Sequence, residues 1–224
     1  MSPSWLTGES ALASRPSTPV VFVVDDDISV REALEAIILY EGWQPATFAS
    51  AQDFLAQPRT RAPSCLVLDV HLPDLSGLDL QNRVTADRMT MPIIFLTGFG
   101  DVPMTVRAMK EGAFEFLTKP WHEDVLRAAI RSAICRSEGA LVCEARLQRL
   151  REDYSSLSHR ERETMALVVA GRLNKQIGAA LGISELTVKA HRGHMMRKMR
   201  AASVPDLVTM ASRLRILPTT ESGA

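Results

Sequence analysis

The sequence feature that most constrains this chain is the run Cys65-Leu66-Val67-Leu68, which ends at Asp69. Four consecutive apolar residues predict a short strand that is buried on both faces, as in a parallel sheet. Pro73 follows closely and cannot continue the ladder of a strand. Because the functional crevice of an open α/β sheet lies outside the carboxyl ends of its strands, we expect the Asp69 carboxylate at the mouth of a sheet.

The segment around this strand repeats one pattern, a short apolar run followed by residues with helical spacing. The predicted strands lie at about residues 20–24, 45–48, 65–69, 92–96 and 113–117. The predicted helices lie at about residues 30–42, 51–57, 75–86, 102–111 and 122–136. Five successive βα units predict an α/β fold, namely a five-stranded parallel, doubly wound sheet of the flavodoxin-like kind.

The zero formal net charge of the chain conceals two halves of opposite sign. Residues 19–136 contain 11 Lys and Arg against 16 Asp and Glu, whereas residues 154–217 contain 11 against 4. This asymmetry predicts two domains with different partners, and the basic half is the candidate for binding a polyanion.

Polar residues stand at the ends of four of the predicted strands. Asp25 and Asp26 follow the first strand, Asp69 ends the third, Thr97 ends the fourth and Lys119 follows the fifth. Three carboxylates in one crevice would repel one another without a cation, and such a set of hard oxygen ligands favours Mg²⁺. The hydroxyl and the ammonium would complete a cradle for a phosphoryl group. A carboxylate can itself be the nucleophile, so we predict that Asp69 forms an aspartyl phosphate.

With these residues in view, the segment 20–136 resembles the receiver domain of two-component response regulators. The matching motifs are Val24-Asp25-Asp26-Asp27, Asp69 with Pro73 and Gly77 beyond it, Thr97-Gly98, and Phe116-Leu117-Thr118-Lys119-Pro120. The resemblance implies that Asp69 is the phosphoacceptor, and that Asp25, Asp26 and the backbone carbonyl of His71 help to bind the metal. It also implies that Thr97 and Phe116 form a switch pair, and that Lys119 pairs with the phosphate across a cis Lys119–Pro120 bond.

The basic half is predicted to be a small all-α domain of four helices, at about residues 158–170, 174–181, 184–199 and 203–214. Ser158 and Glu161 form a capping box at the first of them. Two short helices joined by a tight turn at Gly182 are typical of a helix-turn-helix. Residues 137–154 contain no proline and are predicted to be a helical linker that continues the preceding helix.

The third of these helices is predicted to be the recognition helix. At 100° per residue, Val188, His191, Met195 and Met199 form a core stripe, with His191 expected to be a buried core histidine. The opposite side carries Lys189, Ala190, Gly193, Arg197 and Arg200. Cations and small residues on one face suit the major groove of DNA. Asn174 and Lys175 begin the preceding helix, where phosphate contacts are expected.

This half resembles the C-terminal DNA-binding domain of the LuxR/FixJ (NarL-type) class. The matching residues are Leu157-Ser158, Arg160-Glu161, Gly171, Asn174-Lys175, Ile177, Leu181-Gly182-Ile183-Ser184, Thr187-Val188-Lys189, His191-Arg192 and Arg197-Lys198-Met199. The resemblance implies base contacts at Lys189, Ala190 and Gly193. Thr187 and Arg192 complete the predicted DNA-binding set.

Together these features predict a cytoplasmic two-component response regulator that is not an enzyme and has no membrane segment. A partner histidine kinase would phosphorylate Asp69 with Mg²⁺ bound, and the resulting homodimer would bind double-stranded DNA and regulate transcription. Residues 1–19 are expected to be a disordered tail and residues 218–224 a second tail, around domains at 20–136 and 155–217. Two alternatives stay open: a regulator whose receiver is a phosphorylation-independent dimerisation module, and a Mg²⁺-dependent phosphatase.

Overall fold

The computed structural model describes residues 17–58, 60–87, 91–98 and 102–216 of the 224. The chain divides into two compact units, Met1–Leu141, named the receiver unit after the resemblance of its sequence, and Val142–Ala224, named the C-terminal unit. Of the two tails predicted from the sequence, residues 1–16 and 218–224 lie outside the described part.

The receiver unit alternates strands and helices throughout. Its strands are β1 (Val20–Val24), β2 (Gln44–Phe48), β3 (Ser64–Asp69), β4 (Ile93–Thr97) and β5 (Glu115–Thr118). Its helices are α1 (Ile28–Tyr40), α2 (Ala51–Leu55), α3 (Gly77–Asp87), α4 (Val102–Lys110) and α5 (Glu123–Ser155), the last of which extends into the C-terminal unit. All strand pairs are parallel and the order is β2-β1-β3-β4-β5, which confirms the predicted fold class.

The strand that carries Asp69 lies in the middle of the sheet, and all six of its residues are buried. Alternate side chains enter two separate cores. Leu66 and Leu68 pack in one core with Phe22, while Cys65 and Val67 pack in the other with residues of α1 and α5. Because these strands are all parallel, the carboxyl ends of β1, β3, β4 and β5 lie at the same edge of the sheet.

Element boundaries differ from the sequence prediction mainly at turns. The third helix begins at Gly77 rather than at Leu75. The reason is that the Gly77 amide donates to the Val70 carbonyl at 2.9 Å, so the chain must fold back before the helix can start. The last strand begins at Glu115 rather than at residue 113. The helix after it runs from Glu123 to Ser155, so residues 137–154 continue it as predicted. Among the described residues, none of the helices has the length and apolar character needed to cross a membrane.

The C-terminal unit consists of helices packed around one apolar core. They are α6 (His159–Val169), α7 (Asn174–Leu181), α8 (Glu185–Lys198) and α9 (Val204–Arg213), together with the end of α5. The helix-turn-helix pair α7–α8 is joined at Gly182, which has a φ of 67° and so takes a left-handed conformation that favours glycine. Val188, Met195 and Met199 are fully buried, as the helical projection predicts.

An ion pair between the buried Glu161 and the exposed Lys198 joins the start of α6 to the end of α8. Glu161 completes the predicted capping box, since its carboxylate accepts from the Ser158 amide at 2.7 Å while the Ser158 hydroxyl accepts from the Glu161 amide at 3.3 Å. The same carboxylate lies 2.6 Å from Nζ of Lys198. The hydrogen bond from Lys198 is the main reason why the pKa of Glu161 falls from 4.5 to about 2.

We expect Glu161→Gln to lower the free energy of unfolding by about 1.5–3 kcal/mol at pH 7, because glutamine can keep the capping box but loses the charged partner of Lys198. The folded pKa is depressed, so this contribution is present above pH 4.5 and is lost as the pH falls towards 2. Urea unfolding followed by circular dichroism between pH 7 and pH 3 measures the difference. A gap between the two proteins that stays constant over this range would contradict the assignment.

Candidate functional site

Three carboxylates meet at the carboxyl edge of the receiver sheet. Asp25 and Asp26 directly follow β1, and Asp69 is the last residue of β3, so neighbouring parallel strands deliver all three. Each offers an oxygen atom, and these atoms lie within 4.8 Å of one another. Asp25 and Asp69 are buried, whereas Asp26 is exposed. The arrangement brings together the acids that the sequence predicts as a metal site.

Lys119 lies against two of these acids. Its Nζ is 2.7 Å from Oδ2 of Asp25 and 2.6 Å from Oδ2 of Asp69. Its amide donates to the Thr97 carbonyl at 2.7 Å, which ties the end of β5 to the end of β4, and the Lys119–Pro120 bond is cis. Burial lowers the pKa of Lys119 and its hydrogen bonds to the two carboxylates raise it, with a net result above the ordinary value. The ammonium is therefore held charged beside Asp69.

The two buried acids are held in similar ways. One oxygen of each accepts an amide two residues further on, from Asp27 to Asp25 at 3.0 Å and from His71 to Asp69 at 3.1 Å, and the other oxygen accepts from Lys119. Burial raises the pKa of Asp25, although the hydrogen bonds from Lys119 and Asp27 act in the opposite direction. Anionic oxygens this close together, on short tethers, form the donor set that a small divalent cation such as Mg²⁺ takes.

The predicted switch residues lie next to this cluster on neighbouring strands. Thr97 ends β4, is fully buried and is paired in register with Thr118. Phe116 is half-buried on β5, and its ring centroid lies 6.1 Å from that of Phe95. His71 contacts Asp69 through its amide, while its side chain is exposed.

Two residues that the sequence analysis did not single out support the loops of the site. The guanidinium of Arg31 donates to the backbone carbonyls of Asp25 and Asp26 at 2.7 and 2.9 Å. Asp74 accepts from the amides of Ala51 and Gln52 at 3.2 and 3.0 Å, which joins the loop after β3 to the start of α2. Both act through side chain–backbone contacts, Arg31 on the loop that directly precedes its own helix and Asp74 on a segment more distant in sequence. Neither contact has a signal in the local spacing of residues.

Gly77 is the first residue of α3 and lies directly against the backbone of Asp69 and Val70. A Cβ atom at this position would lie 2.5 Å from the Asp69 carbonyl oxygen and 2.9 Å from the Val70 Cα. Real Cβ atoms essentially never approach backbone so closely. The glycine is therefore what allows the first turn of α3 to pack directly beneath the strand end that carries Asp69.

In the C-terminal unit, α8 presents the predicted nucleic-acid face to solvent. Lys189, Ala190, Gly193 and Arg197 are all exposed, as the helical projection predicts. Lys175 is exposed near the start of α7. Thr187 is exposed in the first turn of α8, and its amide is capped by the Ser184 hydroxyl at 3.1 Å. The first turn of α8, its cations and its small side chains are thus all accessible to solvent.

Of three further predicted residues of this unit, Arg192 lies between the two faces, as the helical projection predicts, whereas Arg200 and His191 depart from it. Arg192 is half-buried and donates from Nη1 to Oδ1 of Asn174 at 2.8 Å, so it links α8 to the start of α7. Arg200 lies beyond the end of α8 with a φ of 55°, and its Nη2 is 3.5 Å from Oδ1 of Asp153. Its placement on the helical face was wrong because the helix ends at Lys198. His191 is half-buried rather than buried.

Comparison with known protein families assigns each half separately. Residues 21–131 match the response regulator receiver domain, and residues 155–211 match the bacterial regulatory proteins of the luxR family. Nodulation protein W of Bradyrhizobium diazoefficiens is 43% identical over 209 residues, which cover 93% of this chain and 92% of that protein. The response regulator protein TodT of Pseudomonas putida is 42% identical over 209 residues, covering 93% and 91%.

Solved structures give the same result over most of the chain. The low-resolution structure of the response regulator StyR has a TM-score of 0.79 at 42% identity, covering 88% of this chain and all of that one. Full-length FixJ from B. japonicum has a TM-score of 0.51 at 39% identity, covering 88% and 98%. The similarity therefore includes both units and not the receiver alone.

Proposed function

Because this chain belongs to the two-component response regulators that join a receiver domain to a LuxR-type DNA-binding domain, we propose that phosphorylation of Asp69 controls its binding to DNA. The chain is a transcription regulator by this membership. The single observation that carries the phosphorylation proposal is the contact of Lys119 with Asp69 inside a cluster of three acids. A histidine kinase is the proposed phosphodonor.

In the proposed reaction a carboxylate oxygen of Asp69 attacks the phosphorus of a phosphohistidine. A P–O bond forms as the P–N bond breaks, and the electron pair leaves with the imidazole nitrogen, which takes up a proton. The Lys119 ammonium, already 2.6 Å from Asp69, offsets charge on the incoming group. The buried position of Asp69 orients its carboxylate at the end of a rigid strand.

Asp25, Asp26, Asp69 and the carbonyl of His71 are the residues proposed to hold Mg²⁺. When bound, the ion would supply charge neutralisation for the phosphoryl oxygens and for the acids themselves. The chemistry of the donor set supports this fit, since three carboxylates converge and the Lys119 ammonium contacts two of them, Asp25 and Asp69.

Thr97 and Phe116 are proposed to transmit the modification. The Thr97 hydroxyl would move towards the phosphoryl group and the Phe116 ring into the space behind it. This movement would change the surface formed by α4, β5 and α5, which is the proposed dimerisation face. Its support is a set of exposed apolar side chains, with Val106 and Met109 on α4 and Val125 on α5 between 43% and 50% exposed.

DNA binding is assigned to the paired C-terminal units. Lys189, Ala190, Gly193 and Arg197 of α8 are proposed to enter the major groove, with Thr187 at its start. Lys175 and Asn174 are proposed to contact phosphate, while Arg192 positions Asn174. Arg200 stays a proposed backbone contact that would have to leave Asp153. A symmetric dimer would match a two-fold operator.

The test is the mass and DNA affinity of the full chain with and without beryllofluoride and Mg²⁺. We expect a shift from monomer to dimer, and an increase in affinity for a selected duplex of about 10²-fold or more, because pairing makes the second half-site contact intramolecular. Retention of the monomer mass together with unchanged DNA affinity would contradict the proposed mechanism.

Asp25→Asn is expected to stabilise the metal-free protein. Burial raises the pKa of Asp25, so the ionised form that exists at neutral pH is disfavoured by folding, and a neutral amide removes that cost while Oδ1 can still accept from Asp27. In the parent, Mg²⁺ should raise the unfolding midpoint by ligand linkage, whereas the variant should respond weakly.

Thermal unfolding in a chelator and in excess Mg²⁺ measures both effects. Asp27→Asn is the matched control, because Asp27 caps α1 through the Ser29 amide and asparagine preserves that cap. A variant at Asp25 that is less stable than the parent in the chelator would show that the acid cluster is not under electrostatic strain.

A further inference from the structure

The outer face of α8 carries one large apolar side chain that the core does not use. Leu186 is 78% exposed, the highest value among the large apolar side chains in the described part of the C-terminal unit. It is absent from the residues that pack in that unit's core, although Val188, two positions later, is fully buried there. An exposed leucine at this position therefore contributes little to folding.

Leu186 lies in the middle of the proposed DNA-binding face. At 100° per residue it is about 180° from the buried Met195, and within about 60° of Lys189, Ala190, Gly193 and Arg197. Residue 186 is also in the first turn of α8, the end of a recognition helix whose residues reach base edges. Its position is thus both central on the face and at the leading end of the helix.

The neighbours of Leu186 leave its methyl groups prominent. Ala190 and Gly193 have short side chains, and nothing lies within 4 Å of a Cβ built at Gly193. Lys189 and Arg197 are long, exposed cations that would satisfy phosphate and guanine edges. The face consequently offers two cations and a single protruding apolar group.

We propose that Leu186 is a specificity-determining residue that contacts the 5-methyl group of a thymine in the major groove. Among the four bases only thymine presents an apolar group there, so an apolar side chain at the centre of the face discriminates for it. This inference rests on the proposed DNA-binding function and adds the base that α8 selects.

The experiment begins with selection of operators from random duplexes by the full-length protein in beryllofluoride and Mg²⁺. Each thymine of the selected site is then replaced with deoxyuridine, which removes only the methyl group. For the parent we expect the DNA affinity to fall about three- to fivefold when one thymine per half-site is replaced, which is the effect of burying one methyl group. Leu186→Ala should be insensitive to that replacement, and Leu186→Met should stay sensitive.

Leu173→Ala is the matched control, because Leu173 is 70% exposed but precedes α7. Leu173→Ala should lose as much affinity as the parent when uracil replaces thymine. A double-mutant cycle of protein and base should then show coupling at Leu186 and not at Leu173.

If Leu186→Ala keeps the parent's thymine preference, the proposal is overturned while DNA binding stands. The proposal is equally overturned if this variant lowers transcription without changing the selected sequence, which would indicate a protein contact. If the parent selects no sequence, the proposed function itself fails.

Discussion

Asp69→Asn should abolish uptake of a phosphoryl group, reducing it at least about 100-fold, because the carboxylate is the proposed nucleophile and an amide cannot replace it. The substitution is nearly isosteric. An asparagine oxygen can still accept from the His71 amide, and Lys119 keeps its contact with Asp25. Loss of phosphorylation would therefore reflect chemistry rather than unfolding.

Incubation with acetyl phosphate and Mg²⁺, followed by mass spectrometry of the intact protein, measures this loss directly. Asp27→Asn again serves as the control, since Asp27 lies beside the cluster and caps α1 without belonging to the group of three acids. Incorporation of phosphate into Asp69→Asn at the parent's rate would place the phosphoacceptor elsewhere.

The same variant separates the proposed mechanism from its alternatives. In a footprinting titration with beryllofluoride, the parent should gain DNA affinity and Asp69→Asn should not. Equal binding by both proteins under all conditions would favour a receiver that acts as a phosphorylation-independent dimerisation module. Sustained turnover of small phosphate esters by the parent would instead favour a phosphatase.

Gly77→Ala is expected to destabilise the receiver unit by about 1–3 kcal/mol, which corresponds to roughly 4–12 °C in its unfolding midpoint. The added methyl group would meet the Asp69 carbonyl oxygen and the Val70 Cα at 2.5 and 2.9 Å. Both are backbone atoms of a buried segment, so they cannot swing aside as a flexible side chain would. The start of α3 must move away, and the end of β3 with it.

Gly139→Ala should have the opposite sign, which makes it a matched control. Gly139 lies in the interior of α5, and nothing is within 4 Å of a Cβ built there. Alanine should therefore stabilise the helix by about 0.5–1 kcal/mol. Fluorescence of Trp43 and Trp121, both half-buried in the receiver unit, follows the unfolding.

The Gly77 variant also tests how the site depends on its support. A displacement of Asp69 by a fraction of an ångström relative to Lys119 should slow phosphoryl uptake by about tenfold or more even where the protein is folded. Unfolding and phosphorylation that both match the parent would show that the strand end tolerates the methyl group.

The sequence was most informative where burial and strand direction determine position. The apolar run before Asp69 predicted a strand, and parallel pairing then brought Asp25, Asp69, Thr97 and Lys119 to one edge of the sheet. Helix stops at glycine were also predictable, because left-handed backbone at Gly182 follows from local chemistry. These features depend on periods and residue types that are present in the linear sequence.

Contacts between side chains and the backbone of supporting loops were not predictable in the same way. Arg31 supports the acidic loop through backbone carbonyls, and Asp74 caps α2 from across the sheet edge, and neither residue has a distinctive spacing. Gly77 was recognised only as part of a motif, whereas its steric reason requires the path of α3 beneath β3. Arg200 was misplaced because the projection continued the helix beyond its end at Lys198.

The central position of β3 determines when, during synthesis, the proposed site around Asp69 can be completed. Strands on either side of β3 come from earlier and later parts of the chain, and Lys119 follows the last strand to be made. A ribosome-bound chain that has exposed Asp25 and Asp69 but not yet Lys119 lacks the ammonium and the flanking strands that hold Asp69 in place. Under the proposed mechanism, we therefore expect that a nascent chain is not phosphorylated until β5 has left the ribosome, and that α6–α9 emerge only afterwards.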